Sequence, residues 1–580
     1  MPERLHARGA GYTLKALLVV LSIQIWAAAD PASALPAETL MLVRVRDGSR
    51  CLKDVRQLDV VKRLAAREWG HALGIALEGA ARSASVFLSD VPLSKWADIV
   101  AQDVALAVWE EADSGKRTGW VIAADLGERT TEFDRLWLDV FLPRLSEAVP
   151  DMRIEPAQGS GEYAFVLRDG SRIKAARKDC WLLLGSPETV KVCLAAAGDQ
   201  ERALVSQARY REPMSRLSTE SGVFVWMNAE RLWQRAAPEL ERNARKRRDL
   251  TNMGLLDVRA AAARARVRDG LVEEHIVLEL APSRGGILGL IAGLTPRAIQ
   301  APAKVPKEMT AYAAFAFKDG IELAKKIENL IERTGGENAI GEFRSGVLKL
   351  EETLQINLHG DVYKALGSEA FAAIEATGMV DAAKARLPLS WANVEFLFGI
   401  HCSDSNRIIE TANFALTSDW AVNAGLQWNV RQADRVPIYT LSHQGRPMLS
   451  PSYAAVGDYL LIALRERTLA NAVRSISGGR CVKETDAWKR AARPVDPSLL
   501  ELYVSLQPFL PAFAQNAAAK VDDDAKPWWP YLVDAARECD AVHVRVQQEP
   551  LGLAARCRSP LGVAVVPAAL IGVGELLKGR

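Results

Sequence analysis

The chain lacks every short motif that would commit it to a particular chemistry. It has no G-x-S-x-G elbow, no H-E-x-x-H, no Walker A loop, no G-x-G-x-x-G fingerprint and no EF-hand loop. Histidine is scarce. His6, His71, His275, His359, His401, His443 and His543 include no pair four apart and no H-x-H, so no two imidazoles are offered together to a metal. No C-x-x-C joins any of Cys51, Cys180, Cys193, Cys402, Cys481, Cys539 and Cys557. An odd, scattered set of thiols is neither a zinc site nor a disulfide framework. Nothing therefore implies a cofactor or a metal. Dyads and triads assemble in space, so these absences remove the positive reason to assert an enzyme without excluding one.

Excess charge is missing too. The formal net charge is +2 at pH 7, which leaves no electrostatic footprint for nucleic acid. The densest basic run, Arg242 to Arg248, is flanked by Glu239, Glu241 and Asp249 and reads as a solvated helix face, with an anionic-surface patch as the alternative. The N-terminal apolar run, Ala16 to Ala29, falls short of the ~20 residues that a membrane helix needs.

That run is better read as a secretory signal. Arg4, Arg8 and Lys15 make a basic leader, and Ala32-Ser33-Ala34 offers a small-x-small cleavage site before Leu35. Ala27-Ala28-Ala29 is a second candidate site, and an uncleaved anchor is the alternative. The expected address is the periplasm, cell envelope or exterior. Oxidation is permitted there, and Cys539 with Cys557, flanking an expected hairpin turn near Glu549-Pro550, is a candidate disulfide.

At 580 residues the chain exceeds the ~250–300 at which a single core stops growing. With 49% hydrophobic and 25% charged residues it has ample apolar surface to fold. Its strongest internal signal is self-similarity. A strand ending at Asp47-Gly48 and leading into a helix is answered by one ending at Asp319-Gly320. The run from Cys180-Trp181 before Ser186 is answered by Asp458-Tyr459 before Glu466, and Val223 to Met227 by Leu500 to Val504. Arg266-Val267-Arg268 is answered by Arg545-Val546-Gln547. Collinear matches at so long a period indicate domain duplication rather than a solenoid. The expected organisation is a signal peptide at 1–34, one α+β copy at 35–300 and a second at 301–580, each a mainly antiparallel sheet packed against helices. A Pro- and Gly-rich stretch, 281–305, separates them.

Local signals are clear. Asp169-Gly170 and Asp269-Gly270 read as hairpin turns needing positive φ, the second setting Arg266 opposite Glu273. Thr131 with Asp134 reads as a capping box, and Ser186-Pro187-Glu188 as a capped helix start.

The residues Leu35 to Leu40 (LPAETL), the Asp47-Gly48 turn and the following helix resemble an exported bacterial family known as a domain of unknown function, whose members begin after their signal with Leu-Pro-Ala-Asp/Glu-Thr. The resemblance implies export and an α+β fold, and brings no catalytic residues.

The functional expectation is a non-catalytic envelope or secreted protein that binds a protein partner or an apolar ligand. A hydrolase with a spatially assembled site is one alternative. A membrane-surface protein is the other, making contact through the apolar stretches 287–294 and 561–577. Candidate binding residues are Trp528, Trp529, Tyr531 and His401, although such aromatics are more often core.

Overall fold

The structure is a computed structural model and describes residues 30–65, 103–110, 118–148, 152–156, 161–378, 394–418, 421, 423, 426–443, 450–492, 497–510 and 529–562. Residues 1–29 of the expected signal, Trp528 and 563–577 lie outside them. The fold is α+β with antiparallel strands throughout the resolved pairings. The chain divides into two compact units: Met1–Pro238 with Val258–Glu279 and Leu561–Arg580, and Glu239–Asp257 with Leu280–Pro560.

The strands of the first unit are β1 Thr39–Arg46, β2 Asp103–Glu110, β3 Thr118–Asp125, β4 Arg153–Pro156, β5 Glu162–Val166, β6 Arg172–Lys178, β7 Trp181–Gly185, β8 Gly222–Met227, β9 Val258–Arg268 and β10 Leu271–Leu280. Their pairings give the order β4-β5-β6-β7-β3-β2-β1-β8-β9-β10. The second unit holds β11 Ala311–Ala316, β12 Leu366–Glu375, β13 Glu395–Cys402, β14 Leu426–Ala433, β15 Val436–His443, β16 Ser452–Val456, β17 Tyr459–Ala463, β18 Leu500–Ser505, β19 Ala541–Glu549 and β20 Gly552–Ser559. Its order is β14-β15-β16-β17-β13-β12-β11-β18-β19-β20. Strand for strand, this is the order of the first unit.

The elements follow from their residues. The helix α1 (Gly48–Val55) leaves β1 at Asp47, whose φ is 53° and whose carboxylate accepts from the Arg50 N–H. Helix α2 (Pro187–Ala197) follows β7, ahead of α3 (Ala208–Ser215), and is capped by Ser186, whose hydroxyl accepts from the Thr189 N–H at 3.3 Å. Asp269 and Gly270 both have positive φ, 51° and 76°, and form the two-residue turn that brings Arg266 Nε to 2.9 Å from Glu273. Asp169-Gly170 lies in the hairpin turn between β5 and β6, where Gly170 alone has positive φ and its N–H donates to the Leu167 carbonyl. One expectation is corrected. The helix Thr130–Leu136 starts one residue before Thr131, with Arg129 at its N-cap, so Thr131 caps nothing. Asp134 instead lies 2.9 Å from Arg177.

In the second unit the sheet is covered on both faces. Leu461 and Tyr312 pack beneath α8 (Glu466–Ser477) with Leu469 and Val473, while Leu460 and Tyr453 face α7 (Ser405–Leu416) with Ile408 and Ile409. Alternation along β17 thus feeds two cores. Three further helices belong to this unit: α4 (Ala244–Met253), α5 (Gly286–Ala292) and α6 (Gly320–Leu354). The exposed basic run lies on α4 and its N-cap, and Lys246 pairs with Glu239 at 2.8 Å. Asp319 caps α6 by accepting from the Glu322 N–H at 2.7 Å. The helix folds back on itself at Gly336, where φ is 76°, and Arg344 meets Glu328 across the bend at 2.9 Å.

The Cys539–Cys557 disulfide does not form. The register sets Cys557 opposite Val544, five residues beyond Cys539. At about 3.4 Å per residue that offset far exceeds the ~7 Å Cα separation a disulfide tolerates. Both are buried thiols. No helix among the described residues is long and apolar enough to cross a membrane.

Candidate functional site

The apolar stretch 287–294 turns out to be one wall of a cavity. It forms α5, which buries Ala292 and leaves Ile287 49% exposed, and runs on to the buried Leu294. The helix sits where it does because two glycine backbones touch. A Cβ on Gly254, at the end of α4, would lie 2.5 Å from the Gly285 carbonyl, and one on Gly286 would lie 2.5 Å from that of Asn252. Both residues have positive φ, 78° and 59°. Asp257 secures the entry to α5 by accepting from the Gly285 N–H at 2.6 Å.

The opposite wall is the first arm of α6. Lys326, Asn329, Leu330 and Arg333 recur at helical spacing and present one stripe. Between the walls lies a cavity of about 350 Å³, within the ~300–1,000 Å³ of small-molecule sites. Three cations line it: Arg284, Lys326 and Arg333. Arg333 donates to the Arg284 carbonyl, which joins the two walls at one end. The amides of Asn329 and Gln548 and the apolar groups of Pro282, Leu290, Leu330 and Ala292 complete the lining with Gly285, Gly286, Gly289 and Gly293. Among the described residues no carboxylate lines the cavity to neutralise the three cations. The glycines let a bound group approach the backbone of α5, and Leu290 and Leu330 supply an apolar side. Such a site can hold an anion and an attached hydrocarbon portion. Among the described lining residues it offers no carboxylate, imidazole, hydroxyl or thiol to act as base or nucleophile.

The sequence-derived candidates lie elsewhere. His401 closes β13, where its Nδ1 accepts from the Ser368 N–H at 3.2 Å and its Nε2 lies 3.4 Å from Asp458. Asp458 also binds Lys304 at 3.0 Å, and Lys304 stands 5.0 Å over the Tyr459 ring. The Tyr459 hydroxyl donates to Glu369 at 3.1 Å, and the Gln300 N–H donates to the same carboxylate at 2.7 Å. Burial pushes Glu369 up to about 7. These contacts tie the 300–304 segment, β12, β13 and the Gly457-Asp458 turn together, and no nucleophile completes them. Trp529 and Tyr531 belong to the helix Trp529–Arg537, and Trp528 is outside the described residues. His401 does not line the cavity.

A second buried polar cluster follows β18. Glu501 accepts from Tyr312 at 2.5 Å and from Arg545 at 3.0 Å, and His543 Nε2 lies 3.3 Å away. Its positive partners hold the Glu501 carboxyl below its ordinary range although burial opposes them. This is a compensated core charge. No group of three or more metal-ligating side chains gathers among the described residues.

No family model matches the chain, and no curated protein does. Among solved structures it is similar to crystal form III of TP0453, at TM-score 0.24 and 8% identity over 47% of this chain and 89% of that one. Crystal form I of TP0453 gives TM-score 0.23 and 9% identity over 47% and 88%. Similarity at this level carries no argument about fold or function.

Proposed function

We propose that this chain is an exported, non-catalytic binding protein built from two copies of one α+β domain, and that its second unit takes an amphiphilic anion between α5 and α6. The observation that carries the reading is the cavity lined by Arg284, Lys326 and Arg333 with no acidic group among its described lining residues. Three cations gathered around a half-apolar cavity repel one another unless an anion joins them. Binding rather than chemistry is supported by a lining with no proton-transfer or nucleophilic group beyond Lys326. The duplication reading is supported by the common strand order and by matching strand-to-helix junctions at Asp47-Gly48 and Asp319-Gly320. A membrane-surface role draws on one observation, the exposed Ile287 beside the cavity.

The test is calorimetric titration of the 30–580 chain with dodecyl phosphate, with dodecyltrimethylammonium as control. The phosphate should bind and weaken as salt rises, and the ammonium should not. Charge-assisted hydrogen bonds contribute about 1.5–3 kcal/mol each, so Arg284→Glu with Lys326→Glu and Arg333→Glu should weaken binding by at least ~30-fold. Equal binding of both amphiphiles, or an unchanged affinity in a folded triple variant, removes the reading. Binding to anionic vesicles but not to free dodecyl phosphate would favour the membrane surface.

A further inference from the structure

The sequence offers two cleavage sites for the signal, after Ala34 and after Ala29, and the fold distinguishes their products. Residues 30–34 are structural. Asp30 caps the short 3-10 turn Pro31–Ser33, accepting from the Ala32 N–H at 3.0 Å, while its carbonyl accepts from the Ser33 hydroxyl at 2.8 Å. Its carboxylate lies 3.0 Å from Arg44 Nη1 and accepts from the Tyr210 hydroxyl at 3.2 Å. Arg44 is a buried β1 residue whose Nε holds Asp103 at 2.8 Å, and Tyr210 is a buried residue of the helix Ala208–Ser215. Asp30 therefore joins β1 to that helix through two buried side chains.

The residues that follow are more deeply placed. Ala32, Ala34 and Leu35 are all 0% exposed. The Leu35 carbonyl accepts from the Leu204 N–H at 2.7 Å, and Pro36 bridges Ala203. A cut after Ala34 removes Asp30, vacates the space of Ala32 and Ala34, and turns Leu35, fully buried in the intact fold, into a charged chain end. The buried Arg44 and Tyr210 each lose a polar partner, and a buried polar group left without a partner costs free energy. A cut after Ala29 removes none of this. It places the new ammonium on Asp30, whose side chain is 37% exposed and carries a carboxylate to compensate it.

We infer that the mature protein begins at Asp30, by cleavage after the Ala27-Ala28-Ala29 site, and that residues 30–34 are a retained N-terminal latch of the first unit. The inference rests on the export reading. Cleavage precedes folding, so the fold does not direct the cut. It identifies which product has all the residues its core uses.

The experiment is expression of the full chain in a bacterial host with an intact secretion pathway, followed by intact mass and N-terminal sequencing of the exported protein. The expected sequence begins Asp-Pro-Ala-Ser-Ala. A chain beginning Leu-Pro-Ala-Glu-Thr overturns the inference and leaves export standing. A chain retaining residues 1–29 and held in the cytoplasm overturns both. Independently, chains beginning at Asp30 and at Leu35 are compared by calorimetry. The Leu35 chain should lose roughly 5 °C or more from the transition of its first unit, at about 2–4 °C per kcal/mol for a domain this size. Equal transitions overturn the latch.

Discussion

Glu369 gives a pH dependence whose sign and size follow from its surroundings. The carboxyl is buried on β12, and burial, its largest perturbation, lifts it from 4.5 to about 7. The Tyr459 hydroxyl and the Gln300 N–H oppose that shift by stabilising the ionised form. Because the folded value lies above the unfolded one, the native state holds its proton more tightly. The benefit is fully present below about pH 4.5 and is lost as pH rises through about 7. A shift of this size corresponds to about 3 kcal/mol. Glu369→Gln removes the titration while keeping an oxygen for the Gln300 N–H. Urea unfolding from pH 4.5 to 8, in both proteins, isolates the effect, because every other titrating group is common to the two. The wild type should lose about 3 kcal/mol relative to the variant across that range. Parallel stability profiles would show that Glu369 ionises normally, and the argument from burial would be wrong.

Other consequences are sharper still. Gly254→Ala forces a Cβ to 2.5 Å from the Gly285 carbonyl at a φ of 78°, and should cost at least ~2 kcal/mol in urea unfolding while weakening dodecyl phosphate binding. Arg435→Gly relieves a left-handed φ of 67° in the β14–β15 turn, and after the entropy lost by glycine should stabilise the second unit by about 0.5 kcal/mol in the same assay. Maleimide counting on the unfolded chain without reductant should find all seven thiols, because no cysteine pair is bridged.

Features set by neighbouring residues were legible in the sequence. The Asp269-Gly270 turn, the Arg266–Glu273 pair and the Ser186 cap all form as their residues indicate. Asp-Gly turns advertise positive φ, whereas Asp434-Arg435 makes a two-residue turn with φ of 47° and 67° and no glycine to announce it. The capping box at Thr131 failed because the helix begins before it, running on from the turn Gly127–Arg129, while Asp134 pairs with Arg177, 43 positions away in the chain. The cavity was half visible. The stretch 287–294 stood out for its apolarity, but Gly285 and Gly286 before it read as part of a linker, and the cations facing it come from a helix beginning at Gly320. One signal could have found them: Lys326, Asn329, Leu330 and Arg333 follow the i, i+3, i+4, i+7 rule and mix charge with an apolar residue on a single face. His401, a candidate binding residue, is followed in the chain by Cys402, Ser403 and Asp404. The pleat of β13 and the cap of α7 disperse them, and His401 is left tying a turn to a strand.

The central claim is that an amphiphilic anion occupies the space between α5 and α6. Its most direct test is a crystal structure of the 30–580 chain grown with saturating dodecyl phosphate. The account predicts difference density for the phosphate within hydrogen-bond reach of Arg284, Lys326 and Arg333, with the alkyl chain along Leu290 and Leu330. An empty cavity under those conditions, or density bound elsewhere on the second unit, would contradict it.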